Sequence, residues 1–139
     1  MKTETFLCPC HSQLEYSKCC KPLHEGSLPQ NALKLMRSRF SAYTLNLSDY
    51  IIQTTYPNSP AWEKDLGLWE NQIKDFCRHT KFIDLIIHHF SENETEATVT
   101  FTAILKQNNQ DVSFKEKSFF KKVNNKWFYY SGEISNKVN

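Results

Sequence analysis

Four of the chain's five cysteines fall inside thirteen residues near the N-terminus, Cys8-Pro9-Cys10-His11-Ser12-Gln13-Leu14-Glu15-Tyr16-Ser17-Lys18-Cys19-Cys20. A C-x-C pair and a C-C pair are separated by eight residues, and the stretch through His24 shows no amphipathic period. A segment of this kind buries too little apolar surface to offset its ordering entropy, so something other than a core must hold it. Zinc meets that need, because two close pairs joined by a short loop can place four sulfurs tetrahedrally about 2.3 Å from one ion. Structural zinc contributes on the order of 10–16 kcal/mol in finger peptides. Thiolates at Cys8, Cys10, Cys19 and Cys20 fill the coordination sphere, which leaves no open position for a catalytic water. His11 and His24 are alternative donors that could replace one sulfur. A vicinal Cys19–Cys20 disulfide is strained, and redox-active thiols are the remaining alternative.

The rest of the chain bears on the compartment and on the ligand classes. Met1 to Leu7 holds no apolar stretch of signal-peptide length. The longest unbroken apolar run is Trp127 to Tyr130, against the roughly 20 residues of a membrane helix. The protein is therefore read as soluble and cytoplasmic, where thiols stay reduced. The three glycines, Gly26, Gly67 and Gly132, cannot form a G-x-G-x-x-G or P-loop phosphate cradle. The formal charge of +2 vanishes once four thiolates and one Zn2+ are included, so charge nominates no partner. With 139 residues and 40% hydrophobic content, the chain supports one sizeable core.

From Asn31 to His79 the hydrophobic pattern is helical. Asn31 is a suitable N-cap for a helix with Ala32, Met36, Phe40, Tyr43 and Leu47 on one face. Ser48-Asp49 begins a short second helix that stops before Pro57, and Ser59-Pro60 is a start signal for a third, carrying Trp62, Leu66, Trp69, Ile73 and Phe76. After His79 the period changes to 2. Four strands are predicted, Lys81 to Phe90, Glu94 to Lys106, Asp111 to Lys122 and Lys126 to Glu133, with Asn-rich turns between them. Helices followed by a run of closely connected strands predict an α+β domain, an antiparallel sheet curling around the helices.

The C-P-C-x-S opening and C-C close of Cys8 to Cys20 resemble the SEC-C motif, the zinc knuckle at the end of the preprotein-translocase motor ATPase. Members of that family usually carry glycine where His11 and Gln13 stand and lysine where Leu14 and Tyr16 stand. Further segments are similar to the YchJ-like family: Leu35-Met36-Arg37-Ser38-Arg39-Phe40-Ser41-Ala42-Tyr43, Thr55-Tyr56-Pro57, Glu116-Lys117-Ser118-Phe119-Phe120 and Lys126-Trp127-Phe128-Tyr129-Tyr130-Ser131-Gly132. The resemblance implies a zinc knuckle over residues 1–28 and, over residues 29–139, a cone-shaped nuclear-transport-factor-2-like domain of about three helices on a curved antiparallel sheet. It implies a fold and a metal, not a reaction.

A cone of this kind often encloses a pocket. Alternation places Val112, Phe114, Glu116, Ser118 and Phe120 on one face of the third strand, which sets Glu116 on the apolar side. A carboxylate there must be paired, hydrogen-bonded or shifted in pKa. Arg37 and Arg39 are its candidate partners, and the first expectation is an ion pair that closes the cone. Arg37, Arg39, Tyr43, Tyr56, Glu116 and Trp127 form the candidate pocket. Adjacent His88 and His89 on a strand would face one in and one out. Two functions follow. One is a zinc-binding adaptor whose knuckle docks a protein or ribonucleoprotein; the other is a small-molecule binder or acid–base enzyme built around Glu116. Lys115, Lys117, Lys121 and Lys122 are read as solvating a sheet face, not as a direct nucleic-acid interface.

Overall fold

The computed structural model describes residues 6–135. Its period-2 half forms one antiparallel sheet from β1 (Lys81–Glu92), β2 (Glu96–Gln107), β3 (Gln110–Asp111), β4 (Phe114–Val123) and β5 (Lys126–Ser135). The order is β1-β2-β4-β5, with the short β3 paired to β2. Asn108-Asn109 and Asn124-Asn125 all adopt φ between 51° and 67°, the left-handed geometry of tight hairpin turns, which asparagine tolerates better than most residues.

Three helices cover the inner face: α2 (Ala32–Thr44), α3 (Ser48–Gln53) and α4 (Leu66–His79). The preceding segment folds as a 3-10 turn (Tyr16–Lys18) and the one-turn α1 (Lys21–His24). Asn31 caps α2 by accepting from the Lys34 N–H at 2.8 Å, and Glu92 at the far end of β1 accepts from the Ala32 N–H at 3.0 Å. The main core joins Leu35, Met36 and Phe40 of α2 to Val99, Phe101, Ala103 and Leu105 of β2, with Phe120 and Trp127. Cys8, Cys10 and Cys20 form a separate small cluster. Among the described residues no helix is long and apolar enough to cross a membrane.

Three expectations are corrected. The third long helix does not start at Ser59-Pro60. Asp65 is its N-cap, accepting from the Leu68 N–H at 3.0 Å while its own carbonyl takes the Trp69 N–H. Ser59 and Asp65 are comparable cap residues, but the chain from Pro57 runs through turns, with the Ser59 N–H donating to the Tyr56 carbonyl and the Trp62 N–H to the Ser59 carbonyl, and enters the helix only at Asp65. Trp62 consequently lies outside α4, edge-on to Trp69 at 5.2 Å, and Leu66 is exposed. The expected strand from Asp111 to Lys122 is interrupted, because the Ser113 hydroxyl accepts from the Leu105 N–H at 2.9 Å in place of a backbone carbonyl. Finally, both His88 and His89 are exposed. A register shift between Ile87 and His89 leaves His88 as an extra residue, so the inward parity passes from Leu85 and Ile87 to Phe90. His88 instead lies against the Thr102 hydroxyl at 2.7 Å, and Thr102 is buried although it alternates outward.

Candidate functional site

Two features carry chemistry: the cysteine cluster and a cavity between helices and sheet. The cluster is built on a two-sided turn in which Leu7 bridges Glu15 and the Cys8 N–H donates to the Leu14 carbonyl at 2.7 Å. The turn reverses through His11 at φ 64° and Gln13 at φ 74°. These are the two positions where glycine is usual in similar knuckles, and the reason is visible: both need the left-handed region. The sulfurs of Cys8, Cys10, Cys19 and Cys20 all lie within 4.8 Å of one another. The Cys10–Cys19 and Cys19–Cys20 separations are 3.6 and 3.9 Å, and a tetrahedral ZnS4 centre with bonds of about 2.3 Å has S···S edges of about 3.8 Å. None of the four is joined in a disulfide.

The electrostatics of the cluster ask for a cation. Hydrogen bonds from the Cys20 and Cys8 thiols hold the Cys10 pKa far below its ordinary value. The hydrogen bonds they give to Cys10, together with burial, push Cys20 up and Cys8 to about 11. Four sulfurs at these distances can be thiolates together only around a metal ion. The donor set therefore fits one metal ion held by four cysteines.

The two histidines have other partners. His11 Nδ1 lies 3.5 Å from Asp84 of β1. His24 Nε2 donates to the Ser38 carbonyl at 2.8 Å, which leaves Nδ1 to accept from the Tyr16 hydroxyl at 2.7 Å. Burial keeps the His24 pKa below the usual histidine range, so the ring is neutral in this network. Ser38 Oγ meets the Tyr50 hydroxyl at 2.7 Å, and Arg37 Nη1 donates to the Cys10 carbonyl at 2.9 Å. The cysteine turn is thus pinned to α2 by two successive residues.

The cavity has a volume of about 390 Å³ and is walled by α2, α4, β1, β2, β4 and β5. Arg39, Tyr43 and Glu116 line it, joined by Ser118, Tyr129, Trp69 and Gln72. Arg37, Tyr56 and Trp127 are not brought to it. Arg37 turns to the cysteine cluster, Tyr56 packs edge-on to Phe128 at 5.7 Å, and Trp127 is 2% exposed in the main core.

The expected Glu116–arginine ion pair does not form. Arg39 Nη1 donates to the Ile51 carbonyl and to the Thr54 and Thr55 hydroxyls at 2.8–3.1 Å, and its guanidinium lies over the Tyr129 ring, 4.4 Å from the centroid. Among the described residues no lysine, arginine or histidine pairs with Glu116. Its Oε2 accepts from the Ser118 hydroxyl at 2.5 Å and the Tyr129 hydroxyl at 2.9 Å. Ser118 was legible as an inward neighbour of Glu116. Tyr129 was not, because a register shift at Phe119/Phe120 changes which residues of β5 stand opposite β4. Burial and the Glu116 charge push the Tyr129 pKa up, so the phenol stays protonated and donates.

Residues 31–132 match the family described as the YchJ middle NTF2-like domain. A UPF0225 protein of Actinobacillus succinogenes is 34% identical over 133 residues, covering 94% of this chain and 83% of that protein. Two solved structures are similar over both parts of the chain. A SEC-C motif containing protein from Rhodopseudomonas palustris has a TM-score of 0.78 at 30% identity and covers 92% of this chain and 98% of its own. Another from Psychrobacter arcticus has a TM-score of 0.75 at 26% identity, covering 96% and 85%. With a cysteine knuckle that can hold a metal ion set ahead of an α+β cone, the chain belongs to the YchJ-like family of SEC-C motif proteins with an NTF2-like domain.

Proposed function

We propose that the protein binds one structural zinc ion in its cysteine knuckle and a small molecule in its cone, the knuckle bracing the helix that forms one cavity wall. The observation that carries the reading is Glu116: a carboxylate 9% exposed, without a cationic partner, in the wall of a cavity of about 390 Å³. Structural carboxylates in cores are paired. Small-molecule sites span roughly 300–1,000 Å³ and combine apolar walls with a few placed polar groups. The division at residues 28 and 29 then separates a metal-held brace from a ligand-binding body, both working in the cytoplasm.

Gln72 is exposed and also lines the cavity, so it stands at the mouth. Naphthalene-sized fragments titrated into labelled protein should shift the resonances of Phe82, Phe101 and Tyr129, and Gln72→Trp should weaken those shifts at least about tenfold by obstructing entry. Fragment shifts that are equal in both proteins, or none near these residues, refute the reading. Elemental analysis of protein purified without chelators should find one zinc per chain, and a content far below that refutes the metal assignment.

A second reading, docking of a protein partner on the knuckle, is favoured by its surface. Phe6, Leu7 and Leu14 are 46–60% exposed on the cysteine turn, where the Leu7–Glu15 bridge and the stacking of Phe6 on Tyr16 group them on one small element, and a grouped apolar patch marks a contact surface. A photo-crosslinking residue at Leu14 should give one discrete adduct that Leu7→Glu removes. A smear of adducts that survives Leu7→Glu counts against it.

A further inference from the structure

We infer that the cavity takes a neutral molecule with a flat apolar body and one hydroxyl or N–H, which it donates to Glu116 Oε1. This rests on the reading of the cone as a small-molecule site and specifies its ligand.

The seat of the carboxylate is built into the sheet. Both hydroxyls from the protein, Ser118 and Tyr129, go to Oε2, while Oε1 accepts no hydrogen bond from any described residue. A carboxylate can accept at both oxygens, and Glu116 lines the cavity, so Oε1 is the acceptor left for an entering donor. Gly132, opposite Ser118 on β5, makes room for this arrangement. A methyl group there would overlap the Glu116 carboxylate and stand 2.6 Å from the Tyr129 hydroxyl oxygen. At this register position the strand carries a residue without a side chain, and the space is occupied by the acceptor.

Charge selects among donors. Arg39 lines the same cavity and stacks on Tyr129, the residue that donates to Glu116. One positive and one negative group in a largely apolar chamber already balance. An ammonium ligand would leave the chamber with net positive charge and a carboxylate ligand with net negative charge, and uncompensated buried charge is costly. A zwitterion is also neutral overall and would need Arg39 for its carboxylate. Nη1 is committed to Ile51, Thr54 and Thr55 and the guanidinium face to Tyr129, which leaves only Nε and Nη2, so the zwitterion is the competitor that the titration must separate. A neutral donor keeps the balance and satisfies Oε1. The remaining wall, with Phe40, Phe76, Phe82, Phe101 and Trp69, suits a flat ring system.

The test compares four probes on one ring skeleton by protein-detected NMR titration at pH 7: 2-naphthol, 2-methoxynaphthalene, 2-naphthylmethylamine as a cation, and 3-(2-naphthyl)alanine as a zwitterion. In the unaltered protein 2-naphthol should bind at least about tenfold tighter than the other three, the scale of one hydrogen bond to a charged acceptor. In Glu116→Gln, Ser118 and Tyr129 retain the amide oxygen and the NH2 takes the place of Oε1. The hydroxyl's advantage should then disappear, and the ether, an acceptor, should bind as well as 2-naphthol or better. Tightest binding by the amine or the zwitterion overturns the neutral class while leaving the cavity a binding site. Equal binding of all four, or a naphthol preference unchanged in Glu116→Gln, overturns the role of Oε1. Failure of every probe to shift cavity residues overturns the site itself. The probe ranking in the unaltered protein needs no variant to fold.

Discussion

His11 and Gln13 show how a single residue can hold a strained backbone position. Both lie at positive φ in the cysteine turn, where a side chain costs roughly 1–2 kcal/mol relative to glycine. His11 recovers part of that through Asp84 and an edge contact with Phe40 at 6.0 Å. Gln13 is exposed. Gln13→Gly should therefore stabilise the folded turn by about 0.5–1 kcal/mol after the added freedom of the unfolded glycine is discounted. The measurement is amide exchange of Cys8 and His11, which should slow several-fold; unchanged or faster exchange contradicts the account. Glu116 makes the complementary point. Its place on the apolar face followed from alternation, but its partners did not, because two hydroxyls rather than an arginine came within reach. Cys77, the fifth cysteine, is half-buried on α4, and burial raises its pKa to about 11.

At the scale of elements, α2 does the connecting. Arg37 holds the Cys10 carbonyl, Ser38 offers its carbonyl to His24, and Arg39 reaches into the cavity wall. Three consecutive residues point in three directions around the helix, at about 100° per residue, and so join the cysteine turn to the cone. Arg37→Ala removes a hydrogen bond from a charged donor, an interaction of about 1.5–3 kcal/mol. Amide exchange over residues 8–20 should rise at least about tenfold while that of β2 and β4 stays unchanged. Equal acceleration across the sheet would show that the arginine supports the body rather than the turn. The cap of α2 was readable in Asn31, since one side chain decides it. The start of α4 was not, because Ser59 and Asp65 are both good cap residues and only the path of the preceding chain selects between them. Bulges in β1 and β5 are likewise invisible to a period-2 count, and they moved both histidines outward and brought Tyr129 to Glu116.

Across the whole molecule, two assemblies are held by different forces. The main core is apolar and contains none of the cluster cysteines, which pack in a cluster of their own. Withdrawing the metal should then act locally. With a strong chelator, exchange protection of residues 8–24 should collapse while β2 and β4 keep theirs and the main thermal transition shifts by only a few degrees. A single cooperative loss of the sheet on chelation would mean that the cone depends on the metal. The few hydrogen bonds from α2 to the turn transmit some loosening to Arg37 and Ser38, so slight changes in the middle of α2 belong to the expected result.

The sequence by itself determined the four-cysteine cluster, the α+β order and the inward position of Glu116, since each depends on spacing: four thiols in thirteen residues, a change of period after His79, and alternation along one strand. Spacing is a local property and survives in one dimension. Only the tertiary structure decided that Arg39 serves α3 and Tyr129 instead of Glu116, that Arg37 serves the cysteine turn, that Trp127 and Tyr56 stay out of the cavity, and that a cavity remains at all. Those outcomes depend on which of several suitable partners lies within about 3 Å. That distance is set by register shifts and helix placement, not by position along the chain.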